Sequence, residues 1–124
     1  MQEVLQLAES LIGRIPYNLN SFDPTESGFN CLGLVHWTCL QSGIHVPTDW
    51  TEAAAMGFEI ARKDMRPGDV IVIPNSEGWI KKYHLPNHFM LVTEHGLLHI
   101  GRKDGLAKAE CPYHDNWQVR RISS

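Results

Sequence analysis

No apolar run in this chain of 124 residues approaches the ~20 residues that cross a bilayer as a helix, which excludes a helical membrane protein. There is no basic excess either. Eleven Lys and Arg stand against 14 Asp and Glu, a formal net charge of −3, whereas nucleic-acid binders carry a basic face. The nearest thing to one is Lys81–Lys82 with Arg120–Arg121. Cysteine is scarce: Cys31, Cys39 and Cys111 are an odd number and form no Cys-x-x-Cys pair. That argues against a disulfide framework and a structural zinc ribbon, and for a reducing compartment. Gly-x-Ser-x-Gly, phosphate-binding glycine loops and dinucleotide fingerprints are all missing, so serine-hydrolase and nucleotide chemistry lose their usual marks. No repeat, linker or low-complexity tract divides the chain, and 43% apolar with 20% charged residues is ordinary globular composition. The expectation is a single domain over residues 1–124. Met1–Gln6 has no basic start and no long apolar core, which is not a secretory signal. A cytoplasmic product is expected, or one carried out by a route other than general secretion.

Val4, Leu5, Ala8, Leu11 and Ile12 recur at helical spacing and predict a helix over residues 2–13 that ends near Gly13. Residues 15–29, with two prolines, two asparagines, Asp23 and Gly28, read as loop. Asn30 stands where an N-cap belongs, residues 31–41 form the next helix, and Gly43 is placed to end it. Asp49 and Glu52 have capping-box spacing ahead of three alanines, so a third, short helix stops near Gly57. The period then changes. Arg66-Pro67-Gly68-Asp69 fits a type II turn, and Val70–Ile73 is a buried β-branched strand. Residues 74–87 read as a polar loop closed by Pro86. Two strands follow at 88–93 and 97–100 with a tight turn around residues 94–96, then a last strand over 119–122. Helices followed by an antiparallel sheet make an α+β fold.

Cys31 lies at the first residue of a predicted helix. Unpaired N–H groups and the helix dipole at that point favour thiolate and lower a cysteine pKa. A thiol nucleophile needs a base. Of seven histidines, His88 and His99 sit on adjacent predicted strands. With Glu94–His95 as turn residues, Thr93 pairs with Gly96 and His99 falls diagonal to His88 on one face, within about 7–8 Å. With the turn at His95–Gly96, His99 moves four residues from His88, too far to touch at ~3.3 Å per residue. Only the first register provides a base with an orienting partner. His84/His88 and His95/His99 also have the i, i+4 spacing of a helical zinc site. Pro86 and Gly96 break both segments, so no metal and no cofactor is expected.

Five stretches, in order, are similar to the NlpC/P60 cysteine peptidases of the papain-like class: Ile15-Pro16-Tyr17, Ser27-Gly28-Phe29-Asn30-Cys31-Leu32-Gly33-Leu34-Val35, Gly43-Ile44-His45-Val46-Pro47, Arg66-Pro67-Gly68-Asp69-Val70, and His88–Val92 followed by Leu97-Leu98-His99. The resemblance covers about residues 15–101. It implies Cys31 as nucleophile, His88 as general base and then acid, and His99 as the residue orienting His88. It also implies Tyr17 near the oxyanion site, with the Cys31 N–H a sensible oxyanion donor. The implied activity is amide hydrolysis through a thioester, on peptidoglycan stem peptides or cross-bridges. Wall-cleaving members often carry Asp before the cysteine and Ser after it, and these hold the substrate's free amine. Asn30 and Leu32 stand there instead, so both are candidate substrate-binding positions and a free amine is not expected to be required. The N-terminus is closer to phage tail-associated members or to toxins delivered by a dedicated machine. The competing readings are a thiol amidase or acyltransferase on a non-wall substrate, and a non-enzymatic tail or assembly module.

Overall fold

The computed structural model describes residues 2–18, 21, 28–74, 87–101, 103–112 and 116–122. Among the described residues three α-helices, α1 (Gln2–Ser10), α2 (Cys31–Gln41) and α3 (Trp50–Ala54), precede a six-stranded sheet. The strands are β1 (Phe58–Ile60), β2 (Val70–Pro74), β3 (Asn87–Thr93), β4 (Gly96–Gly101), β5 (Gly105–Ala109) and β6 (Gln118–Arg121), in the order β1-β6-β2-β3-β4-β5. Every pairing between these strands is antiparallel, so the expected α+β class is what is found.

Both faces of the central strands are buried. Val70, Val72, Phe89, Leu91, Leu98, Ile100 and Leu106 join a core with Leu5, Ala8, Leu32, Leu34, Val35 and Cys39 of the helices. The alternate residues Ile71, Ile73, Met90, Val92, Leu97 and Val119 form a second cluster. Burial on both sides is why β2 reads as an unbroken apolar run rather than an alternation. Helix α2 packs on β3 and β4, and α1 packs on both α2 and β3.

The helix ends follow their local chemistry. Asn30 is extended at φ −90° and its side-chain oxygen accepts from the Gly33 N–H at 2.7 Å. At the other end the Ile44 N–H reaches the Cys39 carbonyl and the Gly43 N–H the Leu40 carbonyl, with Gly43 at φ 76°, which is a Schellman stop. Asp49 caps α3 through the Thr51 and Glu52 N–H groups, both at 2.9 Å. Gly68 has φ 96° and the Asp69 N–H bonds the Arg66 carbonyl at 3.1 Å, as a type II turn requires.

Three expectations are corrected. Helix α1 stops at Ser10, because Leu11 and Ile12 tighten into i→i−3 bonds and the Gly13 N–H leaves for the Leu106 carbonyl on β5. Strands β1 and β5 were not expected. β1 is three residues on the sheet edge, and β5 is Gly-Leu-Ala-Lys-Ala, with little intrinsic strand preference; pairing with β6 and β4 makes them strands. The strands flanking the expected loop over 74–87 extend into it to Pro74 and from Asn87, while 75–86, with His84 and Pro86, lie outside the described residues.

Candidate active site

Cys31 is the first residue of α2, held by the Asn30 cap on one side and by packing on β3 on the other. The chain ahead of it is pinned to a second segment. The Phe29 N–H bonds the Pro16 carbonyl and the Asn18 N–H the Phe29 carbonyl, making a parallel bridge between Tyr17 and Phe29. A Cβ on Gly28 would collide with the Pro16 carbonyl oxygen, and Gly28 has φ 82°. Glycine is required here on both counts. Tyr17 is thereby fixed beside the turn that delivers Cys31, its hydroxyl oxygen buried.

The sheet is split at this point. The β3–β4 ladder runs through Thr93↔Gly96, Val92↔Leu97 and Leu91↔Leu98 and stops there. Beyond it β3 stays with β2 as far as Asn87↔Pro74, and β4 stays with β5 as far as Gly101↔Gly105. Val92 directs its N–H to the Asp69 carbonyl and its carbonyl to the Gly68 N–H, both on the β2 side. Donors alternate along an antiparallel strand, so the N–H groups of Leu91 and Phe89 point toward β4. Phe89 is where the next rung to β4 belongs, and its N–H instead lies near the Cys31 thiol, which it pulls toward the thiolate. The thiol, carried on the helix face of the sheet, thus enters the fork between β3 and β4.

The two histidines meet on the other face. His88 pairs with Ile73 and so shares the side of Ile71, Met90 and Val92. The turn residues are Glu94 and His95, and Thr93 pairs with Gly96, the first of the two registers considered. Continuing it places His99 opposite Met90, diagonal to His88. The imidazole centroids are 5.8 Å apart with planes at 90°. Cys31 thus stands against the Phe89 backbone, the preceding residue His88 pairs with His99 on the other face, and Tyr17 borders the turn leading to Cys31.

Electrostatics correct one expectation. Cys31 is 1% exposed. Burial pushes its thiol up to about 12, against the lowering pull of the Phe89, Leu32 and Cys31 backbone N–H groups. The helix start does act in the expected direction, but desolvation outweighs it and the resting group is a neutral thiol. Burial, with His99 adding to it, pulls His88 down to about 3. Burial lowers His99 as well, opposed by the Asp104 carboxylate. Both rings are neutral at neutral pH. A neutral thiol and neutral imidazoles are not a resting thiolate–imidazolium ion pair.

Asn30 and Leu32 are not laid out as pocket walls. Each is fully buried. Asn30 spends its side-chain oxygen on the helix cap, and Leu32 lies in the core cluster. The residues on either side of the nucleophile hold the helix in place, and the amine argument drawn from Leu32 loses its basis. His95, half of one suggested chelating pair, turns to Glu9 at 3.1 Å, and His84 lies outside the described residues. Among the described residues no group of three or more His, Cys, Asp or Glu could hold a metal ion. Two neighbours of His88 carried no mark in the sequence. The Asn87 amide donates to the Trp50 carbonyl at 3.1 Å, and the Trp50 ring packs on Phe89 at 5.9 Å. Their only signal was adjacency to His88 and to the capped start of α3.

A helix-borne thiol set against a split antiparallel sheet, with two imidazoles paired on the opposite face, is an α+β arrangement carrying the groups of a thiol-dependent site. Within that class, the chain matches the NlpC/P60 family over residues 13–123 and belongs to it. It is 38% identical over 74 residues to the gamma-DL-glutamyl hydrolase of Bacillus subtilis, a stretch that is 59% of this chain but 17% of that protein. The fold superposes on the peptidoglycan hydrolase RipB of Mycobacterium tuberculosis with a TM-score of 0.73 at 20% identity, covering 98% of this chain and 63% of that one. It also superposes on RipD of the same organism, a non-catalytic NlpC/p60 domain protein, with a TM-score of 0.67 at 14% identity, covering 98% of this chain and 97% of that one. At such identities the likeness shows the fold alone, and the same fold serves a hydrolase and a non-catalytic protein. These relatives lend no support to the expected phage-tail association.

Proposed function

We propose that this chain is a cysteine endopeptidase domain that cleaves amide bonds in peptidoglycan peptides through a thioester acyl-enzyme. The observation that carries the reading is the Cys31 thiol at the start of α2 against the Phe89 backbone of β3, with the preceding residue His88 paired to His99. In the first step His88 takes the thiol proton while sulfur bonds to the carbonyl carbon. The tetrahedral oxyanion collapses as His88 returns that proton to the leaving amine and the C–N bond breaks. Water, deprotonated by His88, then attacks the thioester, and the thiol leaves with the proton restored. His99 orients His88 and stabilises the imidazolium that forms between steps. The Cys31 N–H, with Tyr17 alongside, faces the developing oxyanion. The activities of the hydrolase relatives support the choice of substrate, and the B. subtilis protein makes a γ-glutamyl bond the first to assay.

The test is mass spectrometry of purified peptidoglycan fragments incubated with the wild-type protein and with Cys31→Ala. New peptide termini with the wild type alone are expected. Unchanged fragments, with both proteins co-sedimenting with the wall polymer, would replace the enzyme by a binding module.

A further inference from the structure

His88 is flanked by two residues that point away from it, and both are fastened to one tryptophan. Asn87 and Phe89 alternate with His88 along β3, so their side chains leave the strand on the helix face while the imidazole leaves on the other. The Asn87 amide donates to the Trp50 carbonyl at 3.1 Å. The fully buried Phe89 ring meets the half-buried Trp50 ring at 5.9 Å, tilted by 42°. Trp50 is itself the first residue of α3, whose start is fixed by the Asp49 cap. The two-point grip falls where β3 has left β4. The ladder ends at Leu91↔Leu98, and the Phe89 N–H, free of that rung, lies on the side of the Cys31 thiol and favours its thiolate.

We propose that Asn87 and Trp50 are positioning residues that hold the His88–Phe89 peptide out of the β3–β4 ladder, so that the Phe89 N–H meets the sulfur of Cys31 and His88 faces the fork. Without the grip, the end of β3 is free to close on β4, since an unpaired backbone N–H next to an available strand edge gains a hydrogen bond by pairing. The thiolate formed in the reaction then loses a donor. The inference rests on the proposed role of Cys31 as nucleophile, but its readout does not need turnover.

The experiment measures iodoacetamide alkylation of Cys31 at pH 8 in a Cys111→Ser background, for Asn87→Ala, Trp50→Ala and Trp50→Phe, with melting temperatures alongside. Loss of the donor is expected to slow Cys31 alkylation about threefold or more in Asn87→Ala and Trp50→Ala, because fewer molecules carry thiolate. Trp50→Phe, which keeps a ring against Phe89, is expected to restore the rate. A merely structural role predicts the opposite sign, since loosening the fold exposes a buried thiol and speeds its labelling. Unchanged or faster alkylation in folded Asn87→Ala and Trp50→Ala would overturn the proposal. Slower alkylation in a protein that releases no fragment from peptidoglycan would leave the positioning intact and remove the hydrolase reading instead.

Discussion

Cys31, His88 and His99 act on one another through burial as much as through contact. Since the resting thiol is neutral and pushed up to about 12, the proposed mechanism depends on His88 accepting the proton during attack. Cys31→Ala is therefore expected to abolish fragment release while leaving the melting temperature nearly unchanged. Of the two histidine variants, His88→Ala is expected to lose more of kcat/KM than His99→Ala, because water can partly replace an orienting ring but not the transferring one. Equal losses would show that the pair acts as a unit. Solvent access reverses the simple labelling order among cysteines. Cys111 is exposed and Cys31 and Cys39 are buried, so in the native protein a small alkylating reagent is expected to reach Cys111 first. Mass spectrometry of a time course reads this directly.

At the scale of elements, the cap on α2 determines where the nucleophile sits. Asn30→Ala removes a buried acceptor from the Gly33 N–H and is expected to cost about 1–2 kcal/mol in denaturant unfolding. Asn30→Asp keeps an oxygen at the cap and is expected to lose far less. The end of the sheet is locked in another way. The Asp69 carboxylate, 2% exposed, takes two bonds from Arg121 at 2.9 Å and one from the Arg66 N–H. Arg121→Leu leaves that carboxylate buried without its cation. It is expected to lower the melting temperature more than the double change Asp69→Asn with Arg121→Leu, since breaking a buried pair is worse than replacing it. These elements also show what sequence reasoning reaches. The N-cap at Asn30, the stop at Gly43 and the turn at Gly68 were legible because each depends on a side chain or a φ angle that few residues supply. β5 was not, because Gly-Leu-Ala-Lys-Ala becomes a strand only by pairing with β4. The site was legible up to its parity: Cys31, His88 and His99 carried chemical marks, and the turn at Glu94–His95 decided whether two of them could meet. Asn87 and Trp50 were invisible because their roles arise from a long-range hydrogen bond and a ring contact.

For the molecule as a whole, the buried His88 and half-buried His99 imidazoles set an acid limit. His88 falls from its usual 6.5 to about 3 on folding, and His99 moves in the same direction. Over that interval the unfolded chain binds protons that the folded protein refuses, so stability falls as the pH drops. It is full above about 6.5 and declines progressively toward 3. Melting temperatures measured from pH 7.5 down to pH 4 are expected to drop more steeply for the wild type than for His88→Gln; parallel curves would assign the acid sensitivity elsewhere.

The missing rung between β3 and β4 has a spectroscopic consequence. Every other amide of β3 that bonds within the sheet reports on the sheet, but the Phe89 amide proton, near the Cys31 thiol, is a built-in sensor of the proposed nucleophile. Its chemical shift is set by whether that sulfur is a thiol, a thiolate or an acylated sulfur, and its solvent exchange by whether the acceptor is there at all. One cross-peak followed by nuclear magnetic resonance thus gives the occupancy of the active site during a reaction, without a label, a chromogenic substrate or any change to the chain.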